Sequence, residues 1–241
     1  MKRLLISAAE PSGDLLGAAL IRALRQHGSI EGFGLAGPAM RAAGIEPLAR
    51  MEPMCAMGVM EVLQRLPAIR STQQALREGL KQQPDALLVI DAPDLHLPLA
   101  REARRNGIPA IGWVSPQVWA WRPKRSKAVC KSLDHLLCLF DFEPPLFESL
   151  DAHWVGHPVI DRCTPRVSVD PHLIGLTPGS RQTEVERIWP HFIAAAAEIR
   201  SRIPQTRFRV ASPVETLETP LWIERVASVN DLSNADRKSV V

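Results

Sequence analysis

Asp91 is the residue of this 241-residue chain whose type and setting most directly suggest chemistry. It closes the run Ala86-Leu87-Leu88-Val89-Ile90, an apolar, β-branched stretch of the kind that forms a strand buried on both faces. Ala92-Pro93-Asp94 stops that strand, because a proline has no N–H to give to a sheet, and Asp94 is of a type that caps helices. A carboxylate at the carboxyl end of a central parallel strand lies where open α/β sheets hold ligands. Such a group could accept a proton, anchor a sugar hydroxyl or merely shape the turn, and the local sequence leaves all three open.

Other stretches have similar settings. Ser115-Pro116-Gln117-Val118-Trp119-Ala120-Trp121-Arg122 follows a further expected strand at 108–114. Indole faces and a guanidinium suit a sugar and a phosphate. Alternatively, Trp119 and Trp121 cover a core edge, and Arg122, Lys124, Arg125, Lys127 and Lys131 form a solvated helix face. Near the start, Glu10-Pro11-Ser12-Gly13-Asp14 joins a strand at 4–9 to a helix whose apolar positions are Leu15, Leu16, Ala19, Leu20, Ala23 and Leu24. Its N–H groups could face an anion, or Ser12 and Asp14 could simply cap that helix. The turn lacks G-x-G-x-x-G, so a nicotinamide cofactor has little support.

The elements that must position these residues follow in βα order. A second strand lies at 33–38, and four methionines (Met51, Met54, Met57, Met60) precede Glu61. Thioethers suit an adaptable apolar surface and, more often, a core. Pro67 is expected to open a helix bearing Ile69, Leu76 and Leu80. A helix at 97–105 ends at Asn106-Gly107, and 136–140 is another strand before a short helix at 143–150. Residues 158–172 read as a Pro-rich linker between a domain at 1–157 and a second βα region at 173–235. That region has a strand at 173–177, the turn Pro178-Gly179-Ser180-Arg181, a helix opened by the capping box Thr183-Glu184-Val185-Glu186, a strand at 207–211 and a helix at 220–229.

Bulk composition excludes some classes. Hydrophobic content of 46% and charged content of 23% are ordinary globular values, and a net charge of +3 is too small to argue for nucleic acid. The cysteines (Cys55, Cys130, Cys138, Cys163) show no paired metal-ligand spacing and suit a reducing cytoplasm. No metal or cofactor is expected. The apolar run after Met1-Lys2-Arg3 is too short for a signal peptide, and no run approaches the ~20 apolar residues that cross a bilayer.

Six motifs occur in one order: Ala9-Glu10-Pro11-Ser12-Gly13-Asp14, Met57-Gly58-Val59-Met60-Glu61-Val62-Leu63, Ile90-Asp91-Ala92-Pro93-Asp94, Ser115 to Arg122, Gly156-His157-Pro158 and Pro178-Gly179-Ser180-Arg181. Together they resemble the lipid-A-disaccharide synthases, inverting GT-B glycosyltransferases of Gram-negative bacteria, over roughly residues 3–230. The resemblance implies a UDP-2,3-diacylglucosamine donor, a 2,3-diacylglucosamine 1-phosphate acceptor, and a cytoplasmic enzyme held peripherally at the inner membrane. A homodimer stays open for the full-length protein.

It further implies Asp91 as general base and Arg181 as the group offsetting charge on the leaving diphosphate. Glu10, Ser12, Gly13, Met57, Glu61, Ser115 and Ser180 fall in motifs expected to meet substrate. Trp119 and Arg122 are our own physical assignment to the acceptor phosphate or an anionic lipid surface. Two rivals remain: a related GT-B-like enzyme such as a UDP-N-acetylglucosamine 2-epimerase, and a non-catalytic anionic-lipid module using 122–131.

Members of that family extend well beyond 241 residues, so the second Rossmann-like domain is expected to be incomplete and the chain inactive by itself. Asp236-Arg237-Lys238-Ser239-Val240-Val241 reads like a translated sequencing adapter, which makes 236–241 an expected non-native tail. A genomic stop codon after Val241 with no adapter match, found by resequencing the locus, would overturn that expectation.

Overall fold

The computed structural model describes residues 2–52, 59–160, 170–179, 182–214, 217–227, 232 and 235–236. The chain divides into two compact units, Met1–Asp161 and Arg162–Val241.

Unit 1 is built on seven parallel strands in the order β3-β2-β1-β4-β5-β6-β7. They are β1 (Lys2–Ala8), β2 (Ile30–Ala36), β3 (Glu46–Arg50), β4 (Ala86–Ile90), β5 (Ala110–Trp113), β6 (His135–Cys138) and β7 (Asp151–Trp154). The helices are α1 (Pro11–His27), α2 (Pro38–Ala42), α3 (Val59–Lys81), α4 (Pro93–Arg105) and α5 (Arg125–Ser132), with a 3₁₀ turn at Pro144–Phe147. Alternate residues of β1 and β4 feed two apolar clusters. Leu5, Leu87 and Val89 join Leu76, Leu80, Leu97 and Ala100, whereas Ile6, Leu88 and Ile90 join Ala18, Ile21, Met40 and Trp113. Burial on both faces explains why β4 reads as an unbroken apolar run.

Chain order reverses between β1 and β4, and at such a switch point the two loops leaving the carboxyl ends diverge to open a crevice. Gly13 lets α1 approach that point closely. A Cβ on it would sit 3.3 Å from Ile90 Cγ2 and 3.4 Å from Ala8 Cβ.

Unit 2 holds β8 (Asp170–Leu176), α6 (Gln182–Arg202), β9 (Arg207–Ala211), β10 (Ile223–Val226) and β11 (Ala235–Asp236) in a parallel sheet ordered β10-β9-β8-β11. Its core packs Val185, Trp189 and Ala196 of α6 on Leu176, Phe208, Val210 and Ile223.

Several local expectations need correction. Ile223–Val226 is a strand, not part of a helix; Ile223 is buried and paired with Phe208 in register, so sheet pairing overrides a sequence with few turn signals. Pro67 lies inside α3 rather than at its start. α4 begins at Pro93 after a left-handed Ala92 in the cap position, and Asp94 instead ion-pairs with Arg125 at 2.6 Å. Proline's fixed φ suits the first helical position, which moves the start one residue ahead of the aspartate. α1 likewise starts at Pro11, and Asp14 caps α2 rather than its own helix. Its carboxylate accepts from the N–H groups of Gly37 (2.9 Å), Ala39 (2.8 Å) and Met40 (3.0 Å). α6 starts at Gln182, so Thr183 lies within it. Strand β3 and helix α2, five residues each, are too short to show a period and were not anticipated.

Candidate active site

Three loops leave adjacent strand ends in unit 1. After β1 come Glu10 and Ser12, both exposed, and the buried Gly13. After β4 comes Asp91, half-buried, whose N–H donates to the Trp113 carbonyl at 3.0 Å and so ties the β4 end to β5. After β5 comes Ser115, buried, whose hydroxyl donates to the Glu143 carboxylate. Desolvation raises the Asp91 pKa above its ordinary 3.8, partly countered by a hydrogen bond from backbone Ala92.

Backbone strain concentrates at these ends. Asp91 (φ 52°), Ala92 (φ 44°), Val114 (φ 70°) and Arg122 (φ 54°) all occupy the left-handed region, which is rarest for a β-branched residue. Such conformations persist only where surrounding contacts over-determine them. For Asp91 the contact is His96, which is fully enclosed. Its Nδ1 lies 2.6 Å from the Asp91 carbonyl and its Nε2 2.8 Å from Ser7 Oγ. Burial pushes its pKa down from 6.5 to about 4, against a smaller opposing effect of the Asp91 carbonyl, so the ring is neutral at physiological pH. For the loop after β5 the contact is Glu143, only 2% exposed, which also accepts from the N–H groups of Leu139 (3.1 Å) and Phe140 (3.0 Å).

Neither His96 nor Glu143 was anticipated. Each reaches its partners across the fold, from α4 back to β1 and from the 3₁₀ turn to the β5 loop, and no local spacing signals that.

Beyond Ser115 the loop is apolar and uncovered. Trp119 (52% exposed), Trp121 (55%), Phe140 (46%) and Phe142 (48%) lie at the ends of β5 and β6. Trp119 meets Phe142 edge-on at 5.5 Å, Phe142 stacks on Phe140 at 5.6 Å, and the Arg122 guanidinium covers Trp121 at 4.4 Å. Contiguous exposed apolar surface with a basic fringe marks an interaction site more often than a solvated face.

The concavities of unit 1 agree with an open site. Below Asp91 a cavity of about 20 Å³, lined by Val89, His96, Leu97 and Trp113 among others, has room for one water and none for a sugar. A broader hollow of about 680 Å³ lies at the opposite, amino end of β5 and β6, lined by Arg101, Arg104, Arg105 and Lys131. There Arg104 donates to the Lys131 carbonyl (2.9 Å) and Asp134 (2.9 Å), as basic side chains closing helix carboxyl ends do.

Of the remaining expected site residues, Met57, Ser180 and Arg181 lie outside the described residues, and so does the side chain of Glu61 on α3. So do Met54, most of the expected linker and residues 237–241. The turn leading to Arg181 is described up to Gly179, whose φ is 109° and whose carbonyl accepts from Ser212 Oγ at 3.1 Å. Among the described residues no group of three or more His, Cys, Asp or Glu could hold a metal. No described helix is long and apolar enough to cross a membrane.

Two parallel-sheet units of Rossmann type, one with a carboxylate at its switch point, are the building blocks of the GT-B fold class. Solved structures share this fold. The UDP-GlcNAc 2-epimerase of Neisseria meningitidis, bound to UDP-GlcNAc, superposes with a TM-score of 0.61 at 14% identity, covering 97% of this chain and 74% of that one. Phytolacca americana UGT2, complexed with UDP-2fluoro-glucose and pterostilbene, gives 0.53 at 14% identity, covering 95% and 71%.

Sequence then decides the family. The profile described as lipid-A-disaccharide synthetase matches residues 4–233, and the chain belongs to that family rather than to the epimerases. It is 38% identical to the lipid-A-disaccharide synthase of Geobacter sulfurreducens over 221 residues, covering 86% of this chain and 58% of that protein. Against the Rhodospirillum centenum synthase it is 38% identical over 260 residues, covering 98% and 65%. The chain thus spans about 60% of the length of these relatives.

Proposed function

We propose that the intact protein transfers 2,3-diacylglucosamine from its UDP-activated form to the 6-hydroxyl of 2,3-diacylglucosamine 1-phosphate. The products are UDP and the β-1,6-linked lipid A disaccharide 1-phosphate. Asp91 accepts the hydroxyl proton as the oxygen attacks the anomeric carbon and the bond from that carbon to the UDP oxygen breaks. A carboxylate whose pKa is raised by burial is a stronger base than a surface aspartate. Arg181 offsets charge growing on the diphosphate, a role that rests on the family and on its Pro-Gly-Ser-Arg motif. In this reading residues 1–157 serve the acceptor and 173–235 begin the nucleotide-sugar domain.

Glu10, Ser12 and Gly13 beside Asp91, with Met57, Glu61 and Ser180, contribute to substrate binding. Ser115 contributes by holding the β5 loop through Glu143. Trp119 and Arg122 take the acceptor phosphate or the anionic lipid surface on which both acylated substrates reside, and the half-exposed aromatic cluster supports that assignment. The protein would then work at the cytoplasmic face of the inner membrane as a peripheral enzyme.

The observation that carries the reading is the half-buried Asp91 carboxylate at the carboxyl end of β4, beside the switch point. In a chain completed to the length of its relatives, Asp91→Asn should lower turnover of radiolabelled donor by about 10³-fold with circular dichroism unchanged and a melting temperature no lower than that of the wild type. Retained turnover would remove Asp91 as the base.

A further inference from the structure

The Asp91 backbone is anchored on both sides. Its N–H is held by the Trp113 carbonyl at 3.0 Å, and its carbonyl lies 2.6 Å from His96 Nδ1. A carbonyl only accepts, so Nδ1 carries the ring proton. The ring is neutral, so Nε2 is an acceptor and the Ser7 hydroxyl donates to it at 2.8 Å. Ser7 is fully buried on β1 and pairs with Val89 in register. One imidazole therefore joins the first turn of α4, the residue that follows β4 and the interior of β1 at the switch point. Asp91 and Ala92 are meanwhile held at φ 52° and 44°, a region that side-chain-bearing residues leave unless contacts retain them.

We propose that His96 is the positioning residue of the site: through Ser7 it clamps the left-handed Asp91–Ala92 turn to β1 and so fixes the direction in which the Asp91 carboxylate leaves the sheet. The inference deepens the reading of Asp91 as general base and rests on it for its functional meaning. The clamp itself is a property of the fold and can be tested without turnover. A neutral clamp has a specific advantage here. It holds the turn without placing a cation beside the carboxylate, which would lower the basicity that burial confers.

The test is a nuclear magnetic resonance titration of the 241-residue chain labelled with ¹⁵N in histidine and ¹³C in the aspartate carboxyl, Asp91 being assigned by its loss in Asp91→Asn. In the wild type His96 is expected as the neutral Nδ1–H tautomer at pH 7. In His96→Ala the Asp91 titration should move down toward the ordinary carboxyl range by roughly 0.5 pH unit or more, as the released turn exposes the side chain. His96→Asn, whose amide nitrogen sits where Nδ1 sits but which does not reach Ser7, should give a smaller shift than His96→Ala. Ser7→Ala removes one bond only and should give a smaller shift of the same sign, so the test survives if His96→Ala does not fold. An Nε2–H tautomer, or an Asp91 titration unchanged in folded His96→Ala or, failing that, in Ser7→Ala, overturns the proposal. Turnover retained by Asp91→Asn in the completed protein would instead remove the catalytic reading and leave these spectra as they are.

Discussion

At the amino edge of the seven-stranded sheet, Asp85 and Asp134 use one device twice. Asp85 donates its N–H to the Arg3 carbonyl at 2.9 Å and accepts the Arg3 N–H on its carboxylate at 2.7 Å. Asp134 does the same with Ala110, at 2.8 and 2.9 Å. Asp151, nearby on β7, lies 2.7 Å from both His135 and His153. At the carboxyl edge the Asp91 carboxylate is met by the N–H of its own neighbour Ala92 rather than by an adjacent strand, left-handed backbone gathers around it, and large aromatic rings are left half-exposed.

The two edges also titrate in opposite senses. The Arg3 N–H lowers the Asp85 pKa and His135 lowers that of Asp151, whereas desolvation raises that of Asp91. Stabilisation from the lowered groups is present above the unfolded-state pKa and is lost as pH falls through the folded one. For Asp91 the sign reverses, and stability is lost as pH rises through its folded pKa. One edge of the sheet is built to be satisfied and the other to remain available. This is the division expected where ligands gather at strand carboxyl ends.

The largest test asks what holds the available edge in place. Glu143 accepts from the Ser115 hydroxyl and two backbone N–H groups, and removing it strands two buried donors and one part-buried donor. Glu143→Ala should cost about 4 kcal/mol, seen as a fall in melting temperature of roughly 10 °C. Glu143→Gln should lose distinctly less, because its carbonyl still accepts. A fall no larger than that of an exposed carboxylate such as Glu148→Ala would mean that the carboxyl edge is not buttressed in this way.

A smaller effect separates the edges by pH. His96 is buried neutral with a pKa near 4, against 6.5 for an ordinary histidine. Above pH 6.5 the ring is uncharged in both folded and unfolded chains and costs nothing. As pH falls from 6.5 toward 4 the unfolded chain takes up a proton that the folded one refuses, so stability declines by about 3 kcal/mol across that window. Urea denaturation midpoints should fall over pH 6.5–4 in the wild type and stay nearly level in His96→Gln. The lowered carboxylates of the amino edge act below that window. Parallel profiles in the wild type and His96→Gln would show that His96 is not enclosed.

The sequence made the strand skeleton of unit 1 readable because its central strands are buried on both faces, so β1, β4, β5 and β6 appear as apolar runs ended by turn residues. Asp91 was legible for the same reason, since its position follows from the end of β4. What escaped was every contact that closes at a distance. Asp14 caps α2 rather than α1 because Gly37, Ala39 and Met40 come to it through the fold, 23 to 26 residues further along the chain. His96, Ser7 and Glu143 looked like ordinary members of an apolar helix, an apolar strand and an acidic turn. In unit 2, β10 was mistaken for helix because its pairing with β9, not its local pattern, decides its conformation.

The finest test compares one backbone conformation at both edges. Gly107, ahead of β5 at the amino edge, has φ 75°, and a Cβ there would meet nothing within 4 Å. Ala92, at the carboxyl edge, has φ 44° and already carries the methyl group. Where space is not limiting, a Cβ in left-handed backbone costs about 1 kcal/mol, and glycine recovers part of that at the expense of unfolded-state entropy. Gly107→Ala should therefore lower stability by about 1 kcal/mol, and Ala92→Gly should raise it by about 0.5 kcal/mol. Melting temperatures should shift by roughly 3 °C down and 1 to 2 °C up. The asymmetry is the point, because it compares a glycine in the backbone that suits it with an alanine in the backbone that does not. If Ala92→Gly destabilises as much as Gly107→Ala, the strain at the β4 end is not stored, and the contrast between the edges reduces to their side chains.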